Sequence, residues 1–378
     1  MCHPRRETLS AAAAAVLADT PADLTPEWFT AALREGGVLP AGASVATVDA
    51  GLFGTGQFGL VARAELTYDG EAPGAPASVI VKLPSADAGS KQLGIAIGAY
   101  EAEVRFYQEL APRSTIAVPR PHWTSFEPGT GRVTLVLDDL TGDWQVGDAI
   151  AGGTVAQADA ALGQIARLHG ELWDDTGLRE LDWLAPIART QMLFDGVPAA
   201  LPVFRERFAE RLEPHQLAAV ERLAPKGAEY PSRAWTGPLV VAHGDFRLDN
   251  VLFREDAAGT HATVIDWQSL RLAPPLIDAA IWLATCLSPE DRRTHQDARL
   301  RRYHDGLLAA GVEGFSFDDC LASLRTCSLY VFLLSVGMSV QLARSERGDA
   351  MFAGMVAQAA DFVTDLGAET VLDQEHTR

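Results

Sequence analysis

The chain has 378 residues, with 31 basic against 50 acidic side chains for a net charge of −19, and it is 48% hydrophobic and 21% charged. That balance is globular and excludes a wholly disordered, collagen-like or disulfide-scaffold chain, while the length admits two to three domains or one two-lobed fold. The negative charge disfavours generic binding to nucleic acid or anionic lipid but leaves room for a local pocket for one phosphorylated ligand.

At the start, Arg5 and Arg6 precede a short alanine run that is leucine-poor and ends at Asp19, so no export signal is expected. Residues 1–45 look helical and peripheral, with Thr25, Pro26 and Glu27 starting a helix that Gly36 and Gly37 end. From 45 to 83 the pattern shortens and alternates (VATVDA, LVARAELTY, SVIVKL), which predicts an antiparallel sheet. A helix is expected at about 98–111, then PRPHWTSFE, a turn at PGTG and a strand in RVTLVLDDL. Beyond Asp143 the chain reads as helical, interrupted by one strand pair, NVLF and ATVID. Residues 326–343 are uncharged, but Ser328, Ser335, Gly337, Ser339 and Gln341 interrupt them, so a buried helix is expected and no membrane span. Cys2, Cys286, Cys320 and Cys327 form no C-x-x-C pair and suit a reduced, cytoplasmic setting; Cys320 and Cys327, seven apart, are expected on one buried helix face. The order is α+β: a small sheet-plus-helix lobe over 1–142 and a larger helical lobe over 143–378.

Three places carry chemistry. Gly54, Thr55, Gly56, Gln57, Phe58 and Gly59 form a G-x-G-x-x-G run, weak alone because glycine clusters are common in turns. A dinucleotide-binding loop must open into a helix, whereas this one opens into an alternating strand, the arrangement of a kinase hairpin over ATP phosphates. Lys82, on the following strand, is placed to reach phosphates if a carboxylate holds it. On the helix AYEAEVRFYQEL, Tyr100, Val104, Tyr107 and Leu110 share an apolar stripe; Glu103 falls on it and Glu101 to its side, making Glu103 the expected partner of Lys82.

The third place is His243-Gly244-Asp245-Phe246-Arg247-Leu248-Asp249-Asn250, followed by Asp266 in VIDW. Phosphoryl transfer needs a carboxylate to orient the acceptor hydroxyl and side-chain oxygens to hold Mg²⁺ on the triphosphate. Asp245 supplies the first and Asn250 an amide five residues on, and the hairpin NVLF…ATVID returns Asp266 beside that amide, so the spacing expects all three around one point.

With GTGQFG, YEAEVRFY, LVLDDL, QVGDAIAG, IARLHGELW, HGDFRLDN and VIDWQ together, the sequence resembles the kinase-like family of aminoglycoside phosphotransferases and choline kinases, nearest its ecdysteroid kinase-like branch. The resemblance runs from about residue 24 to the 280s and implies a bilobal protein-kinase-like fold and a phosphotransferase using ATP and Mg²⁺. It implies Asp245 as catalytic base, Asn250 and Asp266 as metal ligands, and Lys82 with Glu103 on the α and β phosphates beneath Gly54 to Gly59. It further implies a hinge of backbone groups at Leu137, Asp138, Asp139 and Leu140 that meets adenine, His243 as a brace, and Asp278 as a structural aspartate. Asp138-Asp139 replaces the usual Glu-Asp, and QVGDA replaces a more common PGDQ-like string, which bears on acceptor contacts. The expected acceptor is a small-molecule alcohol of steroid, terpenoid or polyketide-like character. An aminoglycoside-type resistance kinase, a pseudokinase and a protein kinase are the competing readings; the last lacks an A-P-E-like segment after VIDWQ. His169 and the six tryptophans Trp144, Trp173, Trp183, Trp235, Trp267 and Trp282 read as packing.

Overall fold

The structure, a computed structural model, describes residues 17–55, 58–184, 187–341 and 346–373; the expectations for Cys2, Gly56 and Gln57 fall outside them. Contacts divide the chain into two units. The first comprises the chain up to Pro112, Val118–Trp144 and Asp266–Ser269; the second comprises Arg113–Ala117, Gln145–Ile265 and the chain from Leu270 onward. Relative to a single cut after residue 142, residues 113–117, 143–144 and 266–269 group with the other unit, and Asp266–Ser269 matters most.

The first unit is built on five antiparallel strands, β1 (Ser44–Thr55), β2 (Gly59–Asp69), β3 (Ser78–Pro84), β4 (Pro121–Glu127) and β5 (Arg132–Asp138), in the order β1-β2-β3-β5-β4. Alternation along β2 and β3 sends Ala62, Ala64, Val79, Val81 and Leu83 into one core with Phe29 and Leu33 from the helix Pro26–Glu35. That helix starts where the sequence places it, with the Thr25 hydroxyl accepting the Trp28 amide at 3.2 Å. The helix expected at about 98–111 is present, and a further helix that the sequence reading did not place precedes it. Ala88–Ile97 begins under an Asp87 cap and stops at Gly98, which is left-handed at φ 74°; Ala99–Arg105 then runs into a π-turn, Phe106–Leu110.

The second unit is mostly helical. A three-stranded sheet, β6 (Gln145–Val146), β8 (Val251–Asp256) and β9 (Gly259–Val264), and a pair, β7 (Val240–Ala242) with β10 (Arg271–Ala273), frame the segment 243–250. The helices Val155–Glu171, Ile277–Thr285 and Pro289–Ala309 pack against one another beside these strands. Residues 326–339 of the apolar run belong to the helix Phe317–Ser339, which is long and apolar enough to cross a membrane, yet about two thirds (67%) of its apolar window is buried inside the protein. Cys320 and Cys327 are both buried on it.

Candidate active site

The glycine-rich hairpin joins β1 to β2, with Thr55 opposite Leu60. Gly54 sits at φ 128°, which side-chain-bearing residues rarely adopt. Gly59 is required for another reason: a Cβ there would lie 2.7 Å from the Leu83 carbonyl oxygen of β3. The last glycine of the motif therefore serves strand pairing. Gly59→Ala is expected to cost about 1–3 kcal/mol by overpacking, read as a lower midpoint in urea unfolding; an unchanged midpoint would show that β3 yields without cost. Next to it the Phe58 carbonyl accepts the Tyr100 hydroxyl at 2.6 Å, so the hairpin base is tied to the helix that carries Glu103.

On that helix Tyr100, Val104, Tyr107 and Leu110 are buried as the stripe predicts, and Glu103 is buried among them. Glu101 lies to the side, paired with Arg105 at 2.8 Å. Lys82 Nζ is 2.6 Å from Glu103 Oε1 and 2.7 Å from Asp266 Oδ1. Burial favours the neutral amine, but Asp266 and Glu103 outweigh it and hold Lys82 well above its ordinary value, hence protonated. Asp266 itself is left-handed at φ 65°, one of two such non-glycine residues among those described. The next residue, Trp267, is buried and stacked on Phe106 with ring centroids 3.7 Å apart. This stack and the Lys82 contact place Asp266 in the first unit.

At the expected hinge, Leu137 pairs with Ile80 and the Asp138 amide donates to the Arg120 carbonyl at 2.9 Å. The Leu140 carbonyl accepts the Trp144 amide at 3.1 Å, which narrows the set of backbone groups open to a base. Asp139 turns its carboxylate away to Arg63 Nε at 2.6 Å and the Thr141 hydroxyl at 2.6 Å. Burial pushes that carboxyl up, but hydrogen bonds from Thr141, Ser78 and Arg63 prevail and hold it at about 2. Asp138, the residue that stands in place of Glu, has its carboxylate 2.7 Å from His122 Nε2.

In the second unit the loop from His243 to Asn250 follows β7. Its backbone is held from beneath by Asp278, fully buried, whose carboxylate accepts the His243 amide at 2.7 Å and the Gly244 amide at 2.9 Å. His169 Nε2 lies 3.1 Å from the same carboxylate, and its Nδ1 is 2.7 Å from the Tyr303 hydroxyl. Sequence patterning ranks His169 as packing; it packs, but on the aspartate that carries the loop. His243 braces as expected: Nε2 faces the Ile265 carbonyl at 2.9 Å and Nδ1 accepts the Asp245 amide at 3.3 Å, which assigns the proton to Nε2. Asn250 donates through Nδ2 to the Asp245 carbonyl at 2.8 Å and the Asp245 carboxylate at 3.0 Å, so its amide oxygen is the atom left to face a cation. The backbone Asn250 carbonyl accepts the amide of Ile265, the residue before Asp266, at 3.0 Å. Asp245 and Asn250 are thus together in the second unit, while Lys82, Glu103 and Asp266 are together in the first.

Residues 74–313 match the profile of the phosphotransferase enzyme family. No curated protein sequence matches the chain. Among solved structures, the GDP complex of a mutant aminoglycoside 2'-phosphotransferase-IIIa aligns with a TM-score of 0.53 at 14% identity, over 86% of this chain and 94% of the other. Plasmodium vivax ethanolamine kinase gives 0.50 at 10% identity, over 83% and 82%. A gentamicin complex of aminoglycoside phosphotransferase APH(2")-IIa gives 0.50 at 14% identity, over 83% and 93%. At such identities these likenesses establish the fold, a small antiparallel-sheet lobe with a mostly helical remainder.

Proposed function

The chain belongs to the phosphotransferase enzyme family, and on that premise we propose that it moves the γ-phosphoryl group of ATP to a hydroxyl of an apolar small-molecule alcohol with a steroid, terpenoid or polyketide-like skeleton. Asp245 orients the acceptor hydroxyl and takes its proton. Lys82, held charged by two carboxylates, binds the nucleotide phosphates. The side-chain oxygens of Asn250 and Asp266 suit Mg²⁺, which uses one or two protein ligands and completes its shell with phosphates and water. Such an ion supplies charge neutralisation on the phosphates. Because the transition state is loose, holding the hydroxyl in line counts for more than the basicity of Asp245.

The acceptor class rests on one observation: two acidic side chains beside the catalytic loop, Asp148 and Asp249, accept hydrogen bonds from within the protein. Asp148 accepts the Ile150 amide at 2.8 Å, and Asp249 accepts Arg247 at 2.7 Å and the Ala149 amide at 3.1 Å. A polycation would have to share these carboxylates with their present donors. Beside them, Val146 at the end of β6 and Ile150 after it expose apolar side chains. The test is a mass-spectrometric screen for one added phosphoryl group on a mixed library of apolar alcohols and aminoglycosides, with ATP and GTP in parallel, at low and high salt. An apolar alcohol phosphorylated with little salt dependence is expected; an aminoglycoside acceptor whose turnover collapses in salt would reverse the choice.

A further inference from the structure

Arg247 lies two residues beyond Asp245, and its Nε is 3.2 and 3.3 Å from the two Asp245 carboxylate oxygens, bridging both. Its Nη1 donates to Asp249 Oδ2 at 2.7 Å, and the other Asp249 oxygen accepts the Ala149 amide at 3.1 Å. That amide lies between two backbone hydrogen bonds. The Gly147 amide donates to the Val251 carbonyl at 3.0 Å and the Gly153 amide to the Cys286 carbonyl at 2.6 Å. Neither glycine has room for a Cβ, which would meet the Leu248 carbonyl oxygen at 2.5 Å and Cys286 Sγ at 2.6 Å respectively. A chain of contacts therefore runs from the Ala149 amide, through Asp249 and Arg247, to the carboxylate of Asp245. Asn250 Nδ2 approaches that carboxylate as a second donor, at 3.0 Å.

We propose that Arg247 is a positioning residue for phosphoryl transfer: anchored by Asp249 on the Ala149 amide, it fixes the orientation of the Asp245 carboxylate. The proposal rests on the assignment of Asp245 as the group that orients the acceptor. A planar guanidinium suits the task because it engages two carboxylates at once with fixed geometry; a lysine would keep the charge and lose the fork. In a reaction governed by alignment, a misplacement of about 1 Å costs about 100-fold.

The test is steady-state hydrolysis of MgATP by the full chain, with water as acceptor and Asp245→Asn run alongside. Arg247→Met should lower kcat by about 100-fold with KM for MgATP unchanged, and Arg247→Lys should recover about 10-fold of that loss. Asp249→Asn should slow the wild type by about 10-fold yet add nothing to Arg247→Met, since both break one chain of contacts. If Arg247→Met turns over normally while Asp245→Asn does not, or if the Arg247 and Asp249 losses multiply, Arg247 has no such role. If Asp245→Asn also turns over normally, the assignment of Asp245 itself fails. Melting curves accompany each variant; should Arg247→Met unfold, the kcat loss of Asp249→Asn alone, with KM unchanged, decides the matter.

Discussion

Asp245→Asn is expected to lower phosphoryl transfer by about 1,000-fold, to whichever acceptor the screen returns, while nucleotide affinity stays near that of the wild type. The substitution is isosteric. Asn keeps an oxygen that can accept from Asn250 Nδ2, which lies 3.0 Å from the carboxylate, but it cannot take a proton from the acceptor and it removes the charge that Arg247 bridges. The Asp245 carboxylate is 41% solvent-exposed, so its loss leaves no buried cavity and no buried unpaired charge. Stability should therefore change by no more than about 0.5 kcal/mol, and the variant should be folded, nucleotide-competent and inactive. Isothermal titration with a non-hydrolysable ATP analogue and Mg²⁺ reads binding, and product mass reads transfer. A variant that binds the analogue and still turns over at a tenth of the wild-type rate or better would remove Asp245 from the chemistry.

What the sequence made legible, it did through local spacing. HGDFRLDN carries its carboxylate and amide five residues apart, and the structure joins them directly. Lys82 and Glu103 are 21 residues apart, yet the pair was legible because a carboxylate on a buried helical stripe must have a partner. The Ala88–Ile97 helix was missed because its only strong signal is a cap, Asp87 accepting the Ser90 amide at 2.7 Å, ahead of a weakly patterned glycine-containing run. Tyr100 counted only as apolar; its hydroxyl target, the Phe58 carbonyl, is 42 residues away and belongs to no periodicity. The Asp249–Arg247–Asp245 contacts were hidden for the opposite reason. They lie inside the motif itself, and residues two apart in a loop have no regular geometry from which a contact follows. The Gly59 assignment shows the limit of motif reading: the same glycine that completes a phosphate-loop pattern is demanded by the approach of β3.

Asp278→Ala is expected to be the most damaging single change to the fold, costing about 3–5 kcal/mol, because it removes the acceptor from a fully buried set of donors. The amides of His243 and Gly244, which donate at 2.7 and 2.9 Å, would be left unpaired, and Gly244, at φ 79°, would lose what holds its left-handed turn. His169 would lose its partner on the adjoining helix as well, so the effect reaches both the loop and its support. Burial pushes the Asp278 carboxyl up, but His169, His243 and the Gly244 amide outweigh it, and the net shift is downward. A carboxyl that titrates lower in the fold than in the unfolded chain stabilises fully above the unfolded value of about 4, and that contribution fades as pH falls through the folded value. The wild type should thus lose stability in acid more steeply than the variant, and the difference between them should be constant from about pH 6 to 8 and shrink below pH 4. Urea unfolding at a series of pH values reads both quantities. A variant within about 1 kcal/mol of the wild type at pH 7 would show that the loop holds its shape without Asp278, and a gap that widened in acid would show that the buried group is not a carboxylate in the native state.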